Sequence, residues 1–308
     1  MVDRFDILGL GATAVDDLIY VPSYPAADSK VDILRQERQG GGLTGTALVA
    51  AARMGARCQY AGGLGSDEFS RFVQERFQDA GVGLDHLDRG EHNRPVHSWI
   101  IVDESRGTRN IFCDPHGAAR ARADWPPDEV IRAARVLFVD HFGIQGMIRA
   151  ARVARAAGIP VVADFESPTG EDGYAELVAL ADHPVTPLAF AQRWTGRQQP
   201  GEAAQALWSA TRQAVVVTCG ADGCWYVGAD DPRHARHQPA MRVTAVDTTG
   251  CGDVFHGAYA AGLAQGMSLP DRVRFASATA ALKATGRGGQ VAIPSRAAVD
   301  RFLKEYRE

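Results

Sequence analysis

Short apolar runs alternate with amphipathic segments along most of the chain. The apolar runs, rich in Val, Ile, Leu and Ala, predict strands at 7–10, 57–61, 136–139, 160–163 and 215–219. Segments with helical spacing predict helices at 43–54, 68–80, 145–157, 253–265, 269–285 and 296–306. Because short buried strands alternate with helices, the pattern predicts an α/β fold with a mostly parallel sheet covered on both faces.

Two regions break this alternation. Residues 15–21 and 30–36 predict strands that no helix joins, and residues 95–102 and 108–113 predict a hairpin around 103–107. These four strands predict a small separate sheet, carried by segments at about 12–38 and 95–114. No internal repeat or long linker divides the chain, so we expect a single domain over residues 1–308.

Composition and charge are those of an ordinary globular protein. The 308 residues are 45% hydrophobic and 23% charged, with a net charge of -4, so nothing favours nucleic acid or a membrane surface as a partner. The five cysteines are scattered without C-x-x-C spacing, and no signal-peptide pattern opens the chain. We therefore expect neither disulfides nor zinc, and a cytoplasmic location.

The most informative motif is the heptapeptide Asp247-Thr248-Thr249-Gly250-Cys251-Gly252-Asp253. A strand predicted at 241–246 precedes it and a helix follows. Its glycines let backbone N–H groups approach a ligand, and the helix start adds a positive end that suits phosphate. Asp253 lies in the first helical turn, where a carboxylate accepts a proton from a hydroxyl. Alone, each feature is typical of a turn or a cap; together they favour phosphoryl transfer to an alcohol.

This heptapeptide resembles the D-T-x-G-A-G-D signature of the PfkB, or ribokinase-like, carbohydrate kinases, with Cys251 in place of Ala. The resemblance covers nearly the whole chain. It implies a ribokinase-like three-layer α/β/α sandwich with a mostly parallel central sheet and a small β-sheet lid. It also implies a Mg²⁺-dependent transfer from ATP to a hydroxyl, with preference for a primary one, of a sugar or sugar derivative.

The resemblance further implies roles for individual residues. Asp253 would be the base, and the N–H groups of Gly250, Cys251 and Gly252 would stabilise charge on the transferred group. Because a helix N-terminus stabilises a carboxylate, we expect Asp253 to be a weak base. The expected substrate-binding residues are Asp16, Lys30, Gly41, Gly42 and Thr46. Thr46 stands where the family has Asn in G-G-x-x-x-N, which leaves the identity of the sugar open.

Nucleotide and metal sites follow from the same resemblance. The nucleotide would lie along T-x-G-x-x-G at 218–223, and the expected contacts are Thr218, Gly220, Gly223, Thr248, Ala281 and Gly288. A monovalent cation such as K⁺ would be held by Asp247, Thr249 and Thr285. The N-x-x-E element that many relatives use for Mg²⁺ is replaced by Thr-Pro-Leu-Ala-Phe at 186–190. Magnesium would then bind through the phosphates, supported by Asp164 or Glu166.

Several alternatives remain open from the sequence. Stretches at 40–55, 246–258 and 275–283 are similar to sulfofructose kinases, although Phe142 replaces an expected Arg. A 6-deoxy-6-sulfofructose kinase, a nucleoside kinase and a non-catalytic sugar-binding protein are therefore retained. Residues 9–14 fit the dinucleotide fingerprint G-x-G-x-x-A, but the β-branched residues after them argue against the required helix and hence against an oxidoreductase. The resemblance also implies a homodimer formed through the lid.

Overall fold

The larger of two sheets forms the centre of the molecule. The computed structural model describes residues 2–106, 108–167 and 170–306. Within them, an eight-stranded sheet has the order β12-β11-β10-β9-β8-β7-β1-β4. Its strands are β1 (Phe5–Leu10), β4 (Cys58–Tyr60), β7 (Ala134–Val139), β8 (Val161–Asp164), β9 (His183–Pro187), β10 (Ala214–Thr218), β11 (Cys224–Gly228) and β12 (Asp231–Gln238). In this order, each neighbouring pair from β10 to β4 is parallel, whereas β11 pairs antiparallel with both β10 and β12.

Helices cover both faces of this sheet. They are α1 (Leu43–Arg53), α2 (Glu68–Ala80), α3 (Asp128–Ala133), α4 (Ile144–Ala156), α5 (Tyr174–Leu180), α6 (Leu188–Thr195), α7 (Pro200–Leu207), α8 (Cys251–Ala264), α9 (Leu269–Ala284) and α10 (Arg296–Glu305). Successive strand residues point to opposite faces. Ile7 packs in a core with α1, α8 and α9, whereas Leu8 packs in a second core with α4 and α5. The result is the predicted ribokinase-like α/β/α arrangement.

The smaller sheet has four strands in the order β3-β2-β5-β6. They are β2 (Ala14–Val21), β3 (Arg35–Gly41), β5 (Val96–Asp103) and β6 (Thr108–Asp114). One face buries Leu18, Tyr20 and Ile100. On β5 and β6 the register partners Trp99 and Phe112 are 42% and 52% exposed. We refer to this four-stranded sheet as the lid.

Several sequence predictions need correction. The lid strand predicted at 30–36 runs instead from Arg35 to Gly41, so it extends past the segment expected at 12–38. The strand predicted at 241–246 does not form; the N–H groups of Val246 and Asp247 donate to the carbonyl of Ala284 at the end of α9. Gly107, in the predicted hairpin turn, lies outside the described residues.

Other predictions are confirmed. Helix α2 has the predicted bounds, and β1 leads into β2 without the helix that a dinucleotide fingerprint requires. Strand β12 escaped prediction because its sequence, Asp-Pro-Arg-His-Ala-Arg-His-Gln, is almost wholly polar, as an edge strand allows. Over the part of the chain that the structure describes, every helix is too short or too polar to cross a membrane.

Candidate active site

The turn that starts α8 forms an open site for an anion. Gly250, the N-cap, has a φ of 71°, a left-handed conformation that favours glycine. The N–H of Cys251 already donates to the carbonyl of Thr248 at 3.2 Å, so its expected role in stabilising a ligand charge is not supported. Among the described residues, the N–H groups of Gly252 and Asp253 have no acceptor, and no atom beyond the neighbouring residues and backbone of α8 lies within 4 Å of where a side chain on Gly252 would begin. These two N–H groups are therefore available to a phosphate.

Asp253 is a stronger base than its helical position predicts. Burial raises the pKa of this carboxyl well above its usual value, and the nearby carboxylates of Asp164 and Glu166 raise it further. The side chain of His256 opposes the shift only in part. The expectation of a weak base was wrong because it considered the helix end and not the neighbouring acids, which come from the end of another strand.

A second carboxylate faces the same space from the lid. Burial raises the pKa of Asp16, on β2, to about 6, although a hydrogen bond from Ser98 opposes the shift. Asp16 in turn raises the pKa of Asp253, which places both carboxylates within electrostatic range of each other. A side chain at Gly41 would collide with the carboxylate of Asp16, so glycine leaves that carboxylate its position.

The segment at the start of α1 meets the anion turn. Gly42, the N-cap of α1, has a φ of 85°, and a side chain there would come within 2.6 Å of the carbonyl of Ala12. The methyl carbon of Thr46 would lie 3.5 Å from the first carbon of a side chain placed on Gly250. Sequence reasoning missed Gln290, whose amide donates to the hydroxyl of Thr46 at 3.3 Å. The chain thus has an amide hydrogen-bonded to Thr46, the residue that stands where the expected motif has Asn.

Asp247 organises the turn that precedes α8. One carboxylate oxygen accepts the N–H of Thr249 at 2.8 Å and the other accepts the N–H of Gly288 at 2.8 Å. Burial opposes ionisation, but these two donors, together with the hydroxyl of Thr249 and the charge of Lys283, outweigh it and keep the pKa of Asp247 below its usual value. The carbonyl of Asp247 accepts a hydrogen bond from the Nζ of Lys283 at 2.8 Å. Burial lowers the pKa of Lys283.

This arrangement does not fit the expected monovalent cation. A cation needs oxygen lone pairs around it, but the carboxylate of Asp247 faces N–H donors and its carbonyl faces the ammonium of Lys283. The hydroxyl of Thr285 is exposed and donates to the carbonyl of Leu282 at 2.7 Å. An ammonium 2.8 Å from the carbonyl would also repel a second cation at that oxygen.

A magnesium ion bound to phosphates does fit the polar groups at the ends of β8 and β9. Two buried oxygens, Oδ1 of Asp164 and Oγ1 of Thr186, lack a hydrogen-bond partner among the described residues. They lie at the ends of the paired strands β8 and β9. No group of three His, Cys, Asp or Glu side chains in the described ranges could bind a metal alone. The ion would therefore depend on phosphate oxygens and water, with Asp164 as the candidate protein ligand.

His256 is a further residue that sequence reasoning missed. It lies one turn after Asp253 on a face of α8 that is otherwise apolar. Its ring nitrogens are 2.6 Å from the carbonyl of Gly252 and 2.8 Å from the carbonyl of Val185, and Nε2 is 3.5 Å from Asp164. The ring therefore links the start of α8, which carries Asp253, to β9, and it also lies close to Asp164.

The expected nucleotide residues fall into two groups. Thr218 ends β10, and a short 3-10 turn from Gly220 to Asp222 leads into the antiparallel strand β11, as a hairpin reading predicts. A side chain at Gly223, which has a φ of 88°, would collide with the carbonyl of Gln238. This turn lies at the same sheet edge as Asp164.

The other expected nucleotide residues come from the C-terminal helices and loops. Thr248 is exposed and Ala281 is partly exposed. Gly288, by contrast, is buried, its N–H is used by Asp247, and it lies against Gln39. Lys30 lies in the exposed loop before β3, and no hydrogen bond or ion pair of Lys30 is found among the described residues. No contact between Lys30 and the other expected substrate-binding residues is found among the described residues.

A cleft of about 210 Å³ separates the lid from the anion turn. Lid residues line one side and the turn lines the other. The lining includes Leu18, Tyr20, Ile100, Val102, Arg109, Asp247, Thr249 and Arg287. The lid therefore approaches the turn without closing on it.

Comparisons with known proteins show which family and fold this chain resembles. The family described as pfkB family carbohydrate kinase matches residues 6–296. A ribokinase of Haemophilus influenzae is 25% identical over 304 residues, covering 96% of this chain and 97% of that protein. Fructokinase-1 of Zea mays is 26% identical over 292 residues, with coverages of 86% and 88%. A provisionally assigned ribokinase structure from Agrobacterium tumefaciens is 30% identical, with a TM-score of 0.90, and covers 99% of this chain and 100% of its own.

Proposed function

Because the chain belongs to the pfkB family of carbohydrate kinases, we propose that it transfers the γ-phosphoryl group of ATP to a hydroxyl of a sugar or sugar derivative, with preference for a primary hydroxyl. One observation carries the proposal. The N–H groups without an acceptor at the start of α8 lie beside the Asp253 carboxylate, and Asp16, on the lid, is near enough for its charge to raise the pKa of Asp253. An anion site beside a base is the arrangement that phosphoryl transfer to an alcohol requires.

Asp253 orients the acceptor hydroxyl and takes its proton. Its raised pKa makes it a better proton acceptor than an ordinary aspartate. The N–H groups of Gly252 and Asp253 donate to the transferred group as charge builds on its oxygens. The left-handed φ of Gly250 supports this role by setting the direction in which α8 begins.

ATP binds along the turn at 218–223, with Thr248 and Ala281 on its other side. Magnesium, when bound, neutralises charge on the phosphates. The unpaired oxygen of Asp164 supports a contact to this ion. A monovalent cation is not part of the proposal, because the ammonium of Lys283 lies at the carbonyl where the ion would bind.

The acceptor binds between the lid and the start of α1. Asp16 accepts hydrogen bonds from sugar hydroxyls, and Gly41, Gly42 and Thr46 complete the contact surface. Pentoses and ketohexoses are the first candidates, because the similar proteins include ribokinases and fructokinases. A 6-deoxy-6-sulfofructose kinase and a nucleoside kinase remain alternatives, although the first would need Lys30 to reach the site from its exposed loop.

The proposal extends to assembly and location. The chain acts as one catalytic unit in the cytoplasm, where its five cysteines stay reduced, as the structure has them. Trp99 and Phe112 form an exposed apolar pair on the lid, which a second copy of the chain would cover in a homodimer.

The test is a coupled assay of ADP release with Mg-ATP over pentoses, hexoses, sulfosugars, inositols and nucleosides. We expect ADP release with at least one acceptor, and phosphorus NMR of the product to show a phosphate ester. Binding of sugars, detected by thermal shift, without any ADP release would instead favour the non-catalytic alternative. Asp253→Asn is the matched control for contaminating kinases.

A further inference from the structure

We propose that the ammonium of Lys283 takes the place of the monovalent cation, holding the turn before α8 so that the enzyme works without such an ion. The inference rests on the proposed function for its kinetic part. It identifies a positioning residue for the reaction, since Lys283 acts on the reacting groups through Asp247.

The burial of Lys283 is unusual for its residue type. The chain has three lysines, and the other two, Lys30 and Lys304, are exposed. Lys283, on α9, is 0% exposed. Lysine is almost never fully buried unless it has a partner. Its recorded partner is the carbonyl of Asp247, which belongs to the anion turn.

The charges around Lys283 suit a cation. Burial lowers the pKa of Lys283, and Arg109 on the lid lowers it further, but the carboxylates of Asp247 and Asp253 favour the protonated form. Both carboxylates belong to the turn and the first residues of α8. The ammonium therefore supplies positive charge beneath the anion turn, as a bound cation would, but on a covalent stem.

Asp247 transmits this position to the reacting groups. Lys283 holds its carbonyl, while its carboxylate holds the N–H groups of Thr249 and Gly288. Gly250, the N-cap of α8, directly follows Thr249. If the ammonium is removed, the carbonyl loses its donor and the turn loses one of its hydrogen bonds to α9, keeping those that Val246 and Asp247 donate to the carbonyl of Ala284. The direction of the N–H groups at Gly252 and Asp253 then becomes less well defined.

The first measurement uses the wild-type protein. Its melting temperature and kinetics are recorded in a Tris buffer free of K⁺, Na⁺ and NH₄⁺, then with KCl, and with choline chloride at equal ionic strength. We expect KCl and choline chloride to give the same melting temperature and the same kcat. An activation by KCl of about tenfold or more over choline chloride would overturn the proposal, and this arm needs no variant to fold.

The second measurement uses Lys283→Met and Lys283→Ala, with Lys304→Met as the matched surface control. We expect kcat of both Lys283 variants to fall by about tenfold or more, with a smaller change in the acceptor KM, because the lost contact acts on transition-state donors. Methylammonium or NH₄⁺, but not choline, should restore part of the kcat and of the melting temperature of Lys283→Ala. Lys304→Met should show neither effect.

The outcomes separate this inference from the proposed function. If Lys283→Met keeps the wild-type kcat without any cation, the positioning role is wrong even though the enzyme is a kinase. If no acceptor is phosphorylated, the proposed function fails. In that case a cation-specific rise in the melting temperature of Lys283→Ala, absent from the wild type, still supports the replacement of the ion by the ammonium.

Discussion

The two sheets differ in what covers them. The large sheet is buried on both faces, with separate cores on its two sides. The lid buries a small cluster of Leu18, Tyr20 and Ile100 on one face and exposes Trp99 and Phe112 on the other. Its side toward the anion turn is a cleft, not a packed core. A sheet held from both sides can fix reacting groups, whereas a sheet held from one side can vary its contacts.

The two carboxylates of the site come from these different regions. Asp253 lies on α8, which packs on the large sheet, and Asp16 lies on β2 of the lid. We therefore expect changes on the large-sheet side to affect chemistry, and changes on the lid to affect acceptor binding.

Asp253→Asn is expected to have the largest effect. An amide cannot take the hydroxyl proton, so kcat should fall by about three orders of magnitude. The fold should be intact, because burial raises the pKa of the Asp253 carboxyl and so disfavours the charge that the variant removes. Steady-state kinetics with circular dichroism checks both. Turnover near that of the wild type would contradict the division between the sheets.

Asp16→Asn should raise the KM for the acceptor by about 10- to 100-fold, with a smaller change in kcat. A carboxylate that accepts hydrogen bonds from hydroxyls is worth about 1.5–3 kcal/mol. The KM for ATP serves as the internal control and should not change. Equal losses in kcat and in acceptor binding would show that the lid takes part in the chemistry.

The pH profile should show the lid carboxylate directly. Burial raises the pKa of Asp16 to about 6, so this group loses its charge as pH falls through that value. The kcat/KM for the acceptor should therefore decline below about pH 6, by up to about tenfold per pH unit. Asp253, whose pKa is also raised, adds to the decline. Asp16→Asn should remove the part due to the lid; an unchanged profile would refute the assignment.

Asp164→Asn should lower activity and raise the melting temperature. Burial raises the pKa of Asp164 well above its usual value, so its stabilising contribution is present at low pH and is lost as pH rises through the folded-state pKa. Removing the charge should therefore raise the melting temperature at pH 8, by about 1.5 °C for each kcal/mol in a chain of this length, and less at pH 5. Differential scanning fluorimetry at both pH values measures this, and a fall in melting temperature at pH 8 would contradict it.

The smallest kinetic effect is expected on the outer face of the lid. Trp99→Lys should convert the expected homodimer to a monomer in light scattering while changing kcat less than about twofold. Val291→Lys, at a site that is 73% exposed, is the matched control and should stay dimeric. A wild-type monomer at working concentration would instead show that this apolar pair has no such partner.

Local features of this chain could be predicted from its sequence. The bounds of α2 follow from its apolar spacing, from Asp67 as the cap that accepts two N–H groups, and from Gly81 in the left-handed conformation after it. The anion turn could be located because its glycines and acids are consecutive. Such signals depend on only a few neighbouring residues. The resemblance of this turn to the PfkB signature is confirmed by the family match over residues 6–296.

Tertiary structure decided the pKa values of these groups and the hydrogen bonds that position them. The basicity of Asp253 depends first on burial that no local pattern records, and then on Asp164 and Glu166, which lie at and just after the end of β8. The contact of Lys283 with Asp247 joins residues 36 apart, and that of Gln290 with Thr46 joins residues 244 apart. Hydrophobic periodicity predicts which face of an element is buried, but not which polar groups meet across elements. The sequence thus determined the class of reaction, and packing determined which side chains support it.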